Sequence, residues 1–210
     1  YKNKYLGNLG DASAVSFDGG KIITTGEGGM VITNNKKLEK YSREYHDHGH
    51  ENNPKLPRGK DTKSIVGFNY RMTEMQAAVG IEQLKKLNFI ISENKKRYKK
   101  LLSELGNLVD LRRIPKNSSP IFDTFIFFTK NKDLKKKIIN LLKNEKIGTK
   151  NLPDAIKWHC ASFWDHAISK SKIKRINYTK NLLKTAIAIP ILLRKDISFY
   201  NNLSIKLKNC

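Results

Sequence analysis

Lys21 lies between two glycine-bearing turns, in Ser16-Phe17-Asp18-Gly19-Gly20-Lys21-Ile22-Ile23-Thr24-Thr25-Gly26-Glu27-Gly28-Gly29. A neutral lysine amine attacks a carbonyl carbon, so a lysine presented among small residues is a candidate covalent nucleophile. The glycines let backbone and ligand approach closely. The hydroxyls of Ser16, Thr24 and Thr25 can donate hydrogen bonds to an anion. The chain carries 41 lysines and arginines, so the pattern alone also fits a solvated lysine in a Gly-rich turn. A second concentration of reactive side chains is His46-Asp47-His48-Gly49-His50-Glu51. Three histidines at alternate positions suggest a metal. A metal site also needs ligands converging from elsewhere, and the other histidines are His159 and His166. A helix end running into a polar loop is the preferred reading, and no metal is expected.

The segment from Ser16 through Lys21 to Thr25-Gly26-Glu27-Gly28-Gly29-Met30-Val31-Ile32-Thr33-Asn34 resembles the cofactor-lysine segment of the DegT/DnrJ-type sugar aminotransferases. A second block, Gly67-Phe68-Asn69-Tyr70-Arg71-Met72-Thr73-Glu74-Met75-Gln76-Ala77-Ala78-Val79-Gly80, matches in the right order, as does the lead-in Tyr5-Leu6-Gly7-Asn8-Leu9-Gly10-Asp11. The resemblance is strong over residues 1 to about 105 and weaker but continuous to the end. It implies a pyridoxal-phosphate (PLP) enzyme of fold type I, the aspartate-aminotransferase fold. In that family Lys21 corresponds to the lysine that holds the cofactor and moves protons. Ser16 corresponds to a donor to the cofactor phosphate. Asn69 corresponds to a residue that reaches the phosphate across the interface of a homodimer. Arg71, His48 and His159 fall on the substrate side by the same resemblance. For Arg71 a structural salt bridge, and for His159 a packed structural role, are equally open.

A branch of the family carries histidine in place of this lysine and performs dehydration, so Lys21 implies amino transfer. The implied reaction takes an amino group from glutamate to a keto-sugar, in the biosynthesis of amino sugars and surface polysaccharide. A nucleotide-linked keto-sugar is the common acceptor. The loop His48-Gly49-His50-Glu51-Asn52-Asn53-Pro54-Lys55-Leu56-Pro57-Arg58-Gly59 also resembles a branch that aminates an 8-keto octulosonate. Family members are much longer, which implies that this chain is their C-terminal portion. Residues 1–88 would be the remainder of the large cofactor-binding domain, and residues 89–210 the small C-terminal α/β domain. The N-terminal half would supply the aromatic residue that stacks on the pyridine ring and the acid that pairs with its nitrogen.

The chain has 210 residues and a formal charge of +22. A basic protein invites a nucleic-acid reading. Here the lysines are spread along the chain, often as pairs such as Lys36-Lys37 and Lys95-Lys96, where helices face solvent. They also lack the interleaved aromatics of single-strand binders. Nucleic-acid binding is therefore the lesser alternative, with a non-catalytic half-enzyme as another. Two cysteines, Cys160 and Cys210, are too few for a disulfide framework and suit a reducing cytoplasm. No apolar run approaches the length that spans a bilayer.

Residues 12–17 and 21–33 read as short strands broken by the Gly26–Gly29 turn. Within the second, Met30-Val31-Ile32-Thr33 reads as a buried strand. Residues 36–46 suit a helix, and residues 47–68 a long polar loop of the kind that often carries function. Thr73-Glu74-Met75-Gln76 spells a capping box. Helices are expected to residue 86, over 88–105, 133–143 and 177–186, with strands over 121–129 and 186–190. Trp158, Phe163 and Trp164 read as core aromatics.

Overall fold

The computed structural model describes residues 1–174 and 176–210. They form two compact units. Unit 1 comprises Tyr1–Asn88 with Asn117–Ser119, and unit 2 comprises Phe89–Lys116 with Pro120–Cys210.

In unit 1, β1 (Ala12–Ser16) pairs antiparallel with β2 (Gly29–Thr33), in a register that sets Ala12 opposite Thr33 and Ser16 opposite Gly29. Helix α1 (Lys36–Tyr45) follows, opened by Asn35, whose side chain accepts from the backbone N–H groups of Lys37 and Leu38. Such a cap satisfies donors that the first turn leaves without partners. After the loop, α2 (Glu74–Lys85) begins with the expected capping box: Thr73 accepts from the Gln76 N–H, and the Gln76 side chain accepts from the Thr73 N–H.

Two expectations fail in this unit. Residues 21–25 are not a strand. The Thr25 N–H and the Thr24 hydroxyl both donate to the Phe17 carbonyl, and the Lys21 N–H donates to the Asp18 carbonyl. These bonds fold the segment back on itself and deny it a ladder partner. Nor is β2 buried. Met30 and Val31 are each about half exposed; the turn at residues 6–8 lies against the hairpin at Ser13 and Ile32 and leaves Met30 and Val31 uncovered.

Unit 2 is built around a three-stranded antiparallel sheet in the order β3 (Asp110–Leu111), β4 (Thr124–Phe128), β5 (Ala186–Pro190). Phe125 and Phe127 alternate inward along β4, as the two-residue period of a strand requires. Every residue of β5 is buried. The helices present matching stripes. Helix α3 (Leu87–Leu105) supplies Tyr98, Leu101 and Leu105; α4 (Lys132–Asn144) supplies Ile138 and Leu142. Short α5 (Ile156–His159) and α6 (Lys170–Lys174) and then α7 (Asn177–Thr185) lead into β5. The last helix, α8 (Ile197–Lys208), lies outside the expected set and adds Tyr200, Leu203 and Leu207 to the core. Trp164, 36% exposed, is not a core aromatic, and neither is Trp158, which is 78% exposed. It sits near the end of a single-turn helix too short to press it against the sheet.

Candidate functional site

Ser16 closes β1, and Lys21 stands in the loop that leaves it. Phe17 between them is buried, so it anchors the loop from inside while its neighbours remain exposed. The Ser16 hydroxyl oxygen accepts from the Asp18 N–H at 3.4 Å. The Lys21 ammonium faces the Asp18 carboxylate at 3.7 Å, with both side chains about half exposed. An exposed pair of this kind is worth little, so it does not tie the amine down. The turn beyond is tight at Gly28, whose φ is +150°. A Cβ there would fall 2.8 Å from both the Met72 Cε and the Thr25 Oγ1. Glu27 acts through its backbone: its carbonyl accepts from the Thr25 hydroxyl at 2.6 Å and from the Gln76 Nε2 at 2.9 Å. The two family-like blocks therefore touch, Glu27 meeting Gln76 and Gly28 lying against Met72.

A second cluster forms where residues 45–49 zip against 67–71. The N–H groups of His48, Phe68 and Tyr70 donate to the carbonyls of Phe68, Tyr45 and His46, and Asp47 pairs with Asn69 as an isolated bridge. The approach demands glycine at 49, where φ is +81° and a Cβ would lie 2.1 Å from the Ile65 carbonyl oxygen. Asp47 is carried to the centre of this knot. Its carboxylate accepts two hydrogen bonds from Arg58, one of them 2.9 Å long, and one from Arg71 at 2.5 Å. The Arg58 bonds outweigh the upward push of burial, and with Arg71 they hold the Asp47 carboxyl well below the usual carboxylate range. The loop that delivers Arg58 is shaped by Asp61, which accepts from the N–H groups of Asn52, Asn53 and Thr62. Burial pushes that carboxyl up, but the three donors prevail and lower it.

Asn69 is exposed, and its side-chain oxygen accepts from the Arg71 N–H. His48 is exposed at a positive φ of 57°, its ring 6.4 Å from that of His50. Ser16 and Lys21 thus share one end of the hairpin, and His48, Asn69 and Arg71 share the knot around Asp47. His159 is an exposed residue ending α5 in unit 2. Among the described residues no group of three His, Cys, Asp or Glu is placed to hold a metal ion. Neither Asp47 nor Arg58 stands out in the sequence as a candidate, and the reason is physical. Their pairing spans a loop without periodicity; the sequence marks the loop by its length and by its likeness to one branch of the family, but not the partnership of these two residues.

The α/β fold is that of the solved sugar aminotransferases of fold type I. Helicobacter pylori PseC, an aminotransferase involved in the biosynthesis of pseudoaminic acid, superposes with a TM-score of 0.74 at 22% identity, over 100% of this chain and 55% of that one. The aminotransferase from Psychrobacter cryohalolentis gives 0.76 at 22%, over 100% and 58%. The profile of the DegT/DnrJ/EryC1/StrS aminotransferase family matches residues 1–195, and the chain belongs to that family. GDP-perosamine synthase of Escherichia coli O157:H7 is 41% identical over 128 residues, which are 60% of this chain and 32% of that enzyme. The chain spans about half the length of the solved proteins it matches. No helix among the described residues is long and apolar enough to cross a membrane.

Proposed function

We propose that this chain is the C-terminal portion of a PLP-dependent aminotransferase that moves an amino group, from glutamate, onto a keto-sugar. The product would serve amino-sugar and surface-polysaccharide biosynthesis. The observation that carries the reading is Lys21 on a turn braced by the second family block, through Gln76 to the Glu27 carbonyl. Unit 1 would be the remainder of the large cofactor domain, and unit 2 the small C-terminal domain.

The residues present fit the cofactor. Ser16 keeps its hydroxyl proton available for a phosphate oxygen, because its hydrogen bond with Asp18 is one it accepts. Lys21 offers an accessible amine whose partner, Asp18, holds it weakly. PLP, when bound, supplies the electron sink for breaking the C–H bond of the amino donor. Lys21 would hold the cofactor covalently, release it to the donor, and carry the proton between donor carbon and cofactor. Asn69, exposed on the knot, would reach the phosphate of the second subunit in a homodimer. Arg71, His48 and His159 would contact substrate. The acceptor would be a nucleotide-linked keto-sugar or an 8-keto octulosonate.

Unit 1 exposes Tyr5, Leu6, Met30, Val31, Met75 and Val79, and a preceding N-terminal half of the large domain would cover them. The free thiols of Cys160 and Cys210 suit a cytoplasmic enzyme. The coding sequence before Tyr1 tests the arrangement: an in-frame cofactor-domain half is expected there, and unrelated sequence would count against it. With that half present, the protein should convert glutamate to 2-oxoglutarate when given a nucleotide-linked 4-keto-sugar or an 8-keto octulosonate, and Lys21→Ala should abolish turnover. Undiminished turnover in Lys21→Ala would refute the assignment.

A further inference from the structure

Arg58 lies outside both family blocks, yet the fold brings it to the same buried carboxylate as Arg71. We infer that Arg58 and Arg71, fixed by Asp47, form a two-arginine receptor for a substrate oxyanion, either the diphosphate of a nucleotide or the carboxylate of an amino acid. The Asp47 side chain is 6% exposed, whereas those of Arg58 and Arg71 are 54% and 41% exposed. The carboxylate is therefore inside and the guanidiniums look outward. Each guanidinium has five N–H donors in a planar fork. Asp47 takes two from Arg58 and one from Arg71, and the remainder lie on the half-exposed parts. Asp61 lines the same cleft and adds a second negative charge, so the receptor would act through the directional N–H donors of the two forks and not through an excess of positive charge.

The surroundings favour the same conclusion. Asp61, a second carboxylate of the loop, lies close enough to act on the Arg58 charge. It is itself almost fully buried and committed to three backbone donors, with His50 Nδ1 3.6 Å away. Arg58 instead lines an open cleft with Asn52, Asn53, Leu56 and Asp61, where two amide side chains add neutral polar groups. An ordinary surface arginine loses rotamer freedom when it binds an anion. Here Asp47, locked by the backbone pairing with Asn69, has already ordered both. Only the identity of the oxyanion's owner rests on the aminotransferase reading.

The test is calorimetric titration of the protein, with its preceding half, with UDP and, separately, with L-glutamate at physiological salt. One of the two should bind. Arg58→Ala and Arg58→Lys should each weaken that binding by about tenfold or more, since a lysine point charge cannot replace the fork. Lys55→Ala, an exposed lysine on the same loop, should change it by less than about twofold, as expected of a screened surface charge. Thermal melts of each variant verify that the fold persists. The probe that responds tells diphosphate from carboxylate. No binding of either probe, wild-type affinity in Arg58→Lys, or an equal loss in Lys55→Ala would overturn the receptor. A chain that binds through Arg58 but never captures cofactor would sink the reading of Lys21 and leave the receptor standing.

Discussion

Units 1 and 2 divide the labour of the chain unequally. Unit 2 holds nearly all the hydrophobic core: Leu101, Phe125, Leu142, Ile187, Ile189 and Tyr200 have essentially no exposed surface. Among the described residues of unit 1, Phe17 and Ile23 are the buried hydrophobic side chains, while Tyr5, Leu6, Val66 and Met75 are more than 70% exposed. Yet unit 1 carries the lysine turn and the arginine knot. Its order comes from hydrogen bonds, caps and glycine-tight backbone contacts rather than from apolar burial. Burial is non-directional and scales with area, so unit 2 can be stable on its own core. Polar networks are directional and contribute little net stability each. They fix the geometry of unit 1 but leave it dependent on something that covers its apolar face.

The greatest effect of substitution should fall in the core of unit 2. Leu101→Ala there should cost about 2–5 kcal/mol, the range for a fully buried leucine. Val31→Ala in unit 1 of the isolated chain should stay within about 0.5 kcal/mol, as for an exposed site. Urea unfolding of both variants settles it, and equal losses would erase the difference between the units. Asp47→Asn should cost about 1–2 kcal/mol, the lower part of the range for an unpaired buried group, because both guanidiniums keep contact with water. Hydrogen exchange should localise that loss to the Phe68 and Tyr70 amides, which close the knot, and leave β4 and β5 unchanged. A loss shared by β4 and β5 would mean that the knot supports unit 2 as well.

Acid should act on unit 1 in the same place. The folded-state pKa of Asp47 lies below its unfolded value, which is about 3.9. The stabilisation from its ionised form is therefore present above that value and is lost as pH falls toward the depressed folded-state pKa. Asp61 shifts in the same direction. Pepsin nicking within residues 47–71 should rise as pH falls below the ordinary carboxylate range, ahead of cleavage within α3 or α8. Cleavage that begins in unit 2 would contradict this ordering. An effect well below that of Leu101→Ala is expected at Thr73→Ala, typically about 1 kcal/mol for a lost N-cap. It should appear as fraying of α2 by circular dichroism, and no change would mean that the Gln76 bond to Glu27 holds the helix start unaided.

Much of the chain's local structure is legible in its sequence, and the failures share a cause. The capping box at Thr73 and the stripes of α3 and α4 are local signals, and the structure has them where expected. Residues 21–25 are β-prone, but tertiary bonds to Phe17 override propensity there. Apolar run length, the ground for expecting β2 to be buried, reports what a segment needs and not whether its cover lies in the same chain. At the site, Lys21, Ser16, Asn69 and Arg71 can be singled out because contiguous motifs carry them. The pairing of Asp47 with Arg58 cannot, because it is made by a loop closing over eleven positions, with no repeat to betray it.

The proposed chemistry turns on Lys21 as the lysine that holds the cofactor. That role is tested most directly by incubating the protein, with its preceding half, with PLP, fixing the adduct with borohydride and mapping it by mass spectrometry. A pyridoxyl mass is expected on the peptide containing Lys21, and it should be absent in Lys21→Ala. Label spread over exposed lysines such as Lys36 and Lys95, or unchanged labelling in Lys21→Ala, would contradict it.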